Sequence, residues 1–360
     1  MSWVGLRDKM GGHYNAAGLG CAQSEPFDPD AILSVGSLLI EFMSNPRAGL
    51  QTVLQFGACH PWASGLVMTL DGQGVLKLEQ WQGQTRRTHI LNTGILTREQ
   101  SVLITYTWDA PMRRAVLAVD LGGGAAPIYT ELHAPLPLCA RDASRIISDP
   151  HHCKLHERTM FCAIADEIIP IGALPSLAPQ TLIETPTGLR AVGTLRAGDF
   201  VTTPSGQQAQ VRWCGSMKIP ARGRFAPIAM RAPYHGLRTD LTVGPQQRLR
   251  MRGPNVEYLF DTDAVSVRVD DLRDGNAVRS VASGILQEYR QVVLDGGAAM
   301  CASGLTVEGL NIANIARDPR LRAHSILAQM PAELLPVQTG QSYQVLRGYE
   351  AHSLRKLLAA

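Results

Sequence analysis

The chain has 360 residues and a formal net charge of +3, with 45% hydrophobic and 18% charged residues. This length is enough for two domains that each bury a core. The arginines are scattered and form no basic patch, so we expect no nucleic-acid partner. No apolar run approaches the roughly 18–20 residues that a membrane-spanning helix needs, so no membrane span is predicted.

The N-terminal residues and the cysteines indicate where the protein is located and whether its thiols are oxidised. The first 15 residues lack the basic-then-apolar order of a signal peptide, which leaves the location open between the cytoplasm and export by a non-standard route. The seven cysteines are an odd number with no CxxC pair, which predicts buried free thiols rather than a disulfide framework or a zinc site. No cofactor and no metal ion is predicted.

The first half of the chain has the pattern of a β domain. Residues 1–33 contain scattered Gly and Ala without a clear period, and we predict a loosely structured lead-in with at most one early strand. From 34 to 172, short β-rich runs alternate with turn residues, which predicts an antiparallel sandwich. The turn Asp71–Gly74 is a hairpin signal, because glycine tolerates positive φ. The β-rich runs are 36–43, 51–57, 65–71, 74–82, 101–109 and 114–120.

Three short motifs in this segment match a known sandwich. Thr107–Asp109 match a TWD strand, Val119-Asp120 a VD strand, and 161–172 a closing IDEV strand. They resemble the laminin-G or concanavalin-like fold, many members of which bind sugars or a structural calcium. The resemblance implies a glycan or protein ligand as one hypothesis. The aspartates of the first two motifs, together with Asp71, are either calcium ligands or turn residues at strand ends, and turn residues are commoner.

One segment gathers residue types that bind metals. Asp149, His151, His152, Cys153 and His156 lie within eight positions. Adjacent histidines on a strand point to opposite faces, and no CxxC or HxxxH pair completes a set of four ligands. We therefore predict a surface loop here rather than a metal site.

The first domain is predicted to end at Ile171–Pro175. Short β-rich runs continue from 174 to 310, and helix-forming residues broken by Pro319 follow from 311 to 360. The predicted fold class is therefore all-β, or mainly β. It comprises an N-terminal antiparallel β-sandwich and a second β domain over 174–310, with a short helical tail over 311–360.

Four stretches beyond this boundary carry a family pattern. The opening stretch 174–203 contains TxxGxxxVxxLxxGDxV, and 211–215 is a VRWCG strand. A late LDxxxxxxAxGLxxE frame lies in 288–310, and LRxYEAxxL lies in 346–354. Together they resemble the bacterial version of the Hint domain, the self-processing module shared by Hedgehog C-terminal regions and inteins. The first pattern is met at Thr185, Gly188, Val192, Leu195, Gly198, Asp199 and Val201.

The resemblance implies a reaction of the chain with its own backbone. In this family the first residue attacks the carbonyl before it, and a second nucleophile then breaks the resulting ester or thioester, with histidines moving protons. Ser176 falls at the cysteine nucleophile, Gln247 at the histidine of the (T/S)PxHR motif, and Gly297 at a late histidine. Glutamine donates a hydrogen bond but cannot move a proton at neutral pH.

The predicted function is that of a Hint-domain protein of the self-processing family that is degenerate, because its nucleophile and histidine positions are substituted. Whether it is still an enzyme is left open. One alternative is active self-cleavage at Pro175–Ser176, with the chain as its own substrate and Asp199, His235 or Asp240 as a base. The other is carbohydrate binding by the N-terminal sandwich. No GxSxG, HExxH or P-loop motif predicts a different enzyme.

Overall fold

A computed structural model describes residues 2–21, 27–330, 332, 335 and 343–359. The chain divides into two compact units, Met1–Gly172 and Ala173–Ala360. Antiparallel sheets dominate both units, which confirms the predicted mainly β class. No helix among the described residues is long and apolar enough to cross a membrane.

The first unit consists of strands with one α-helix in its described part. The strands are β1 (Trp3–Asp8), β2 (Gly11–Tyr14), β3 (Ile32–Leu33), β4 (Val35–Ser44), β5 (Gln51–Ala58), β6 (Ser64–Leu70), β7 (Val75–Gln82), β8 (Thr85–Asn92), β9 (Gln100–Asp109), β10 (Arg114–Asp120), β11 (Ile128–His133), β12 (Leu138–Cys139), β13 (Cys153–Leu155) and β14 (Thr159–Ala165), and the helix is α1 (Ala140–Ser148).

These strands form the predicted antiparallel sandwich. One sheet has seven strands in the order β11-β10-β9-β4-β14-β1-β2, and the other has five in the order β13-β5-β6-β7-β8. Side chains of both sheets meet in one hydrophobic core, including Ile40 from β4 and Phe56 from β5. A buried hydrogen bond joins the sheets, since the Tyr106 hydroxyl donates to Gln80 Oε1 at 2.9 Å. The predicted Asp71–Gly74 turn joins β6 to β7.

Residues 1–33 differ from the predicted lead-in. The run Trp3–Asp8 forms β1, which pairs with β2 on one side and with β14 on the other. Trp3 is completely buried. The run is too short to give a clear period, and its partner β14 lies more than 140 residues further along the chain. Local pattern alone therefore does not indicate this pairing.

The helix α1 interrupts a segment predicted to be all-β. It begins after Cys139, whose Sγ accepts a hydrogen bond from the Asp142 N–H at 3.4 Å. Its buried Ala143, Ile146 and Ile147 follow the helical spacing of three and four residues. The segment after the helix is the one that gathers metal-binding residue types and is predicted to be a surface loop. There Asp149 Oδ1 accepts hydrogen bonds from the N–H groups that follow it.

The three candidate calcium ligands are bonded as turn residues. Asp71 Oδ1 accepts hydrogen bonds from the backbone N–H groups of the turn that follows it, at 2.8 and 2.9 Å. Asp109 Oδ1 accepts from the Met112 N–H at 3.1 Å, and Asp120 Oδ1 from the Gly122 N–H at 2.6 Å. These short-range bonds are typical of aspartate at a strand end.

The second unit contains thirteen strands and four α-helices in its described part. The strands are β15 (Leu182–Thr185), β16 (Gly188–Ala191), β17 (Phe200–Thr202), β18 (Gln208–Pro220), β19 (Ile228–Met230), β20 (Leu241–Val243), β21 (Arg248–Arg252), β22 (Ala264–Arg268), β23 (Val278–Ser280), β24 (Leu286–Leu294), β25 (Ala299–Ala302), β26 (Leu305–Glu308) and β27 (Gln344–Val345), and the helices are α2 (Pro254–Phe260), α3 (Ala313–Arg317), α4 (Pro319–Ala323) and α5 (Gly348–Ala359).

Three sheets enclose the second core. The largest has the order β16-β15-β25-β26-β21-β22-β27, and the smaller two are β17-β18-β24 and β20-β19-β23. The long pair β18–β24 is antiparallel. Apolar side chains of all three sheets, such as Leu249, Val292 and Ile228, share one core. Helices α3, α4 and α5 confirm the predicted helical tail, whereas α2 lies within the segment predicted to be β.

Candidate functional site

Ser176 lies at the start of the second unit, held on both sides by backbone bonds. Its neighbour Leu177 forms isolated antiparallel bridges to Val243 and to Arg290. Ser176 O accepts a hydrogen bond from the Gly244 N–H at 2.6 Å. The end of β20 and the middle of β24 therefore fix the backbone around Ser176, which is only 7% exposed.

Gln247 reaches Ser176 because a tight turn follows β20. The Gln247 N–H donates to Gly244 O at 3.0 Å, and β21 begins at the next residue. A Cβ atom at Gly244 would lie 3.2 Å from the Ser176 Cβ. A larger residue would crowd this contact, so glycine allows the two segments to approach closely. Gln247 is 2% exposed.

The Gln247 amide is fixed in one orientation by its partners. Its Nε2 donates to the carbonyl oxygens of Arg248 at 2.8 Å and Glu308 at 2.9 Å. Carbonyl oxygens only accept, so the NH₂ end must face them and Oε1 must face Ser176. The Ser176 hydroxyl consequently donates its proton to Gln247 Oε1, at 2.7 Å.

A third polar residue, Gln291 on β24, completes the site. Its Nε2 donates to Gln247 Oε1 at 3.1 Å and to Ser176 Oγ at 3.4 Å. Its Oε1 accepts from the Val292 N–H at 3.1 Å, and the residue is 2% exposed. Sequence reasoning missed Gln291. The available signal was a glutamine directly before the apolar run 292–294, since a polar group that is buried with such a run needs a partner.

The Ser176–Gln247–Gln291 network contains no group that titrates at neutral pH. Both hydrogen-bond partners of the Ser176 hydroxyl are amides. An amide oxygen accepts a hydrogen bond but is far too weak a base to remove the proton. The network can therefore hold the hydroxyl in place, but it cannot activate the hydroxyl as a nucleophile.

Two of the residues considered as a replacement base are bonded elsewhere. Asp199 Oδ2 accepts from the Arg196 N–H at 2.9 Å and pairs with Arg190 at 3.1 Å. The backbone bond from Arg196, followed by the Arg190 side chain, lowers the pKa of Asp199. Asp240 Oδ1 accepts from the Ala232 N–H at 2.9 Å. Both aspartates therefore stabilise turns rather than contact Ser176.

Neither His235 nor Gly297 forms a hydrogen bond with the Ser176 hydroxyl among the described residues. His235 has a positive φ of 57° in a turn, and neither ring nitrogen has a hydrogen-bond partner among the described residues. Burial lowers its pKa, with a smaller opposing effect of Asp274. Gly297 lies in the short 3-10 turn Asp295–Gly297 with a φ of 68° and has no side chain to offer.

No metal site is evident in the described ranges. No three His, Cys, Asp or Glu side chains there are placed to hold one ion. In the candidate loop, His152 Nδ1 lies 2.6 Å from Asp149 Oδ2, which pairs these two side chains with each other.

Comparisons with known proteins identify the second unit. Residues 175–314 match the family model described as "Hint domain", which covers less than half of the chain. The match includes Ser176, Gln247 and Gln291 and confirms the predicted resemblance. No curated protein matches the chain.

Solved structures resemble separate parts of the chain. A bacterial intein-like domain from Clostridium thermocellum is 14% identical, covers 39% of this chain and 100% of its own, and has a TM-score of 0.29. The Msm DnaB1 intein splicing domain bound with zinc is 19% identical, with coverages of 38% and 99% and a TM-score of 0.27. The Ruminococcus gnavus IT-sialidase CBM40 bound to alpha2,3 sialyllactose is 12% identical, with coverages of 39% and 79% and a TM-score of 0.29. On the family-model match, the second unit of this chain contains a Hint domain.

Proposed function

We propose that the Hint domain of this chain has lost self-cleavage and persists as a stable, uncleaved scaffold. The observation that carries the proposal is the hydrogen bond from the Ser176 hydroxyl to Gln247 Oε1, at 2.7 Å. A hydroxyl nucleophile needs a base to take its proton, and here the proton is directed at a neutral amide.

The expected loss of rate is large. General acid–base help is typically worth about 10²–10⁴-fold, and Gln247 can neither accept nor deliver a proton in that role. Gly297 provides no side chain at the second position where the family carries a histidine. A serine is also a poorer nucleophile than a cysteine thiolate at neutral pH. All of these effects lower the rate of the same reaction, in which Ser176 attacks the Pro175 carbonyl.

The network also opposes a rearrangement that would free the hydroxyl. The Gln247 amide uses both of its N–H donors and accepts two hydrogen bonds on Oε1. Turning it away from Ser176 would remove the Gln247 donor from two partly buried carbonyl oxygens, and a buried group without a partner costs about 1–3 kcal/mol. The resting arrangement is thus a closed set of hydrogen bonds rather than a site waiting for substrate.

Hydroxylamine trapping tests this proposal. The full chain is incubated with hydroxylamine at neutral pH, beside a Ser176→Ala variant. An ester between Pro175 and Ser176 would be intercepted as a Pro175 hydroxamate. We expect no hydroxamate from either protein. A hydroxamate from the native chain that disappears in Ser176→Ala would overturn the proposal and establish the alternative, self-cleavage by serine.

A second candidate function is glycan binding by the first unit. One observation favours it: Trp62 is 43% exposed, although tryptophan is a residue that usually gains from burial. Exposed tryptophans commonly serve as contact residues for ligands. Titration of the full chain with defined saccharides tests this candidate, and absence of saturable binding to any of them would count against it.

A further inference from the structure

The five-stranded sheet of the first unit carries a flat aromatic surface on its solvent side. Gly57, Gly65, Trp81 and Arg86 are opposite one another on β5, β6, β7 and β8. Their neighbours Phe56 and Leu66 point into the core. Because side chains alternate across a strand, this row must face outward. We call this row the Trp81 face.

Two glycines let the Trp81 ring lie against the sheet. A Cβ atom on Gly65 would be 1.9 Å from Cζ2, 2.3 Å from Cε2 and 2.4 Å from Cη2 of Trp81. A Cβ atom on Gly57 would be 3.9 Å from the same Cζ2. The benzene part of the indole thus occupies the space above Gly65 where any other residue would have a side chain. The ring is held in place by backbone rather than by mobile side chains.

Trp62 lies at the same end of the sheet as Trp81. It belongs to the loop between β5 and β6, and the next residue, Ala63, accepts a hydrogen bond on its carbonyl from the Gly83 N–H at 2.7 Å. Gly83 forms the turn between β7 and β8 that directly follows Trp81. The loop is anchored a second time by Arg145, whose Nη1 donates to His60 O at 2.9 Å. The exposed indole of Trp62 therefore sits on a doubly anchored loop.

Positive charge surrounds this surface. The Arg86 guanidinium lies 5.5 Å from the centre of the Trp81 ring. Lys154 faces the same side in the next outward-facing row, which also contains Glu79. Glu79 pairs at 3.0 Å with Lys77, which lies two residues before it on β7. Within the described ranges, neither Arg86 nor Lys154 forms an ion pair. Glu79 is thus paired with Lys77, while Arg86 and Lys154 remain available to a ligand.

We propose that the Trp81 face binds an acidic saccharide. The flat indole matches the apolar C–H face of a pyranose ring. The Arg86 guanidinium can donate a bidentate pair of N–H hydrogen bonds to a carboxylate. Because the ring and the Trp62 loop are already held in place, little conformational entropy is lost when a ligand binds. This inference rests on the second candidate function above, glycan binding by the first unit, and names its surface and ligand class.

Titration of the full-length protein tests the proposal. The probes are trigalacturonate and 3′-sialyllactose, which carry a carboxylate on different sugars, with lactose as the neutral control. Isothermal titration calorimetry gives the dissociation constants. We expect at least one acidic probe to bind saturably and more tightly than lactose. The comparison between the two acidic probes distinguishes a uronate from a sialate as the source of the carboxylate.

Two exposed variants locate the surface. Arg86→Gln should weaken binding of the acidic probe by about tenfold or more, as expected for one lost charge-assisted hydrogen bond, and should abolish the preference over lactose. Trp62→Ala should weaken it similarly. Arg87→Gln is the matched control, because its side chain leaves the same strand on the opposite side, and it should leave binding unchanged.

Each contrary outcome has a separate meaning. Saturable binding that is unchanged in Arg86→Gln and in Trp62→Ala would show that the ligand does not bind at the Trp81 face. Glycan binding by another part of the first unit would then explain the result. Equal or tighter binding of lactose would overturn the acidic class of ligand. No binding of any of the three probes would overturn both this inference and the second candidate function.

Discussion

Replacing Gln247 with leucine tests whether the buried network stabilises the second unit. The Gln247 amide makes four hydrogen bonds, to Ser176 Oγ, Gln291 Nε2 and the carbonyl oxygens of Arg248 and Glu308. Leucine has a similar size but removes all four. Ser176 and Gln291 can still bond each other, whereas the two partly buried carbonyls lose the Gln247 donor.

These losses set the expected magnitude. A buried group left without a partner costs about 1–3 kcal/mol, and the two carbonyls are only partly buried, so we take about 1–2 kcal/mol for each. Together they predict a loss of about 2–4 kcal/mol in the free energy of unfolding of the second unit. At 1.4 kcal/mol per tenfold, protected amides in this unit should exchange roughly 30- to 700-fold faster. Hydrogen exchange measured by mass spectrometry on peptides from β21 and β24 follows this unit separately from the first.

A glutamine on the same strand as Gln291 provides the control. Gln287 is partly exposed, and its Nε2 donates to the carbonyl of the next residue, Glu288. Gln287→Leu should therefore change the free energy of unfolding by less than about 0.5 kcal/mol. Equal exchange rates in the two variants would refute the stabilising role of the network, whatever the activity of the chain.

Three further outcomes follow from contacts elsewhere. Gly65→Ala places a methyl group 1.9 Å from Trp81 Cζ2 and should lower stability by about 1–3 kcal/mol in thermal unfolding, as overpacking does. The exposed Cys59 should react with iodoacetamide at pH 8, while burial raises the pKa of Cys153 to about 12 and should leave it unmodified until the chain unfolds. The pKa of Asp199 in the folded chain is below its ordinary value. Its carboxylate therefore stabilises the folded chain at a pH above the ordinary value, and this stabilisation disappears as the pH falls through the lowered pKa. Asp199→Asn should reduce the dependence of unfolding on acid.

Each of these three predictions has a result that would contradict it. Gly57→Ala meets Trp81 only at an ordinary distance of 3.9 Å, so a loss of stability equal to that of Gly65→Ala would contradict the argument from ring contact. Rapid labelling of Cys153 in the folded chain would contradict its burial. An acid unfolding profile that is identical in Asp199→Asn would show that the Arg196 and Arg190 contacts contribute nothing to stability.

Regular local pattern made most of the sandwich predictable. The strands β4 to β7, β9 and β10 are short β-rich runs bounded by turn residues, and glycine marks the β6–β7 hairpin. The exposed strand β8, TRRTHILN, has little apolar alternation and was not predicted. Strand β1 and helix α1 depend on partners far away in the sequence, which a local pattern does not contain.

The candidate site was partly predictable for a related reason. Ser176 and Gln247 follow from their places in the Hint pattern, and the structure brings their side chains within hydrogen-bond distance. Gln291 lies 115 residues after Ser176, in a strand whose apolar neighbours dominate the pattern. Its role emerges only when β24 pairs beside the first residue of the unit. Asp199 is the opposite case. It matches the family pattern, yet its carboxylate accepts a hydrogen bond from the Arg196 N–H within a turn.

Intact mass spectrometry of the native chain, after incubation at neutral pH without any added nucleophile, tests whether the Hint domain has lost self-cleavage. A Ser176→Cys/Gln247→His variant, treated identically, shows how the fold responds when the family's residue types are returned to both positions. We predict that the native chain stays as one species of 39.0 kDa. Two fragments from the native chain, divided between Pro175 and Ser176, would contradict it.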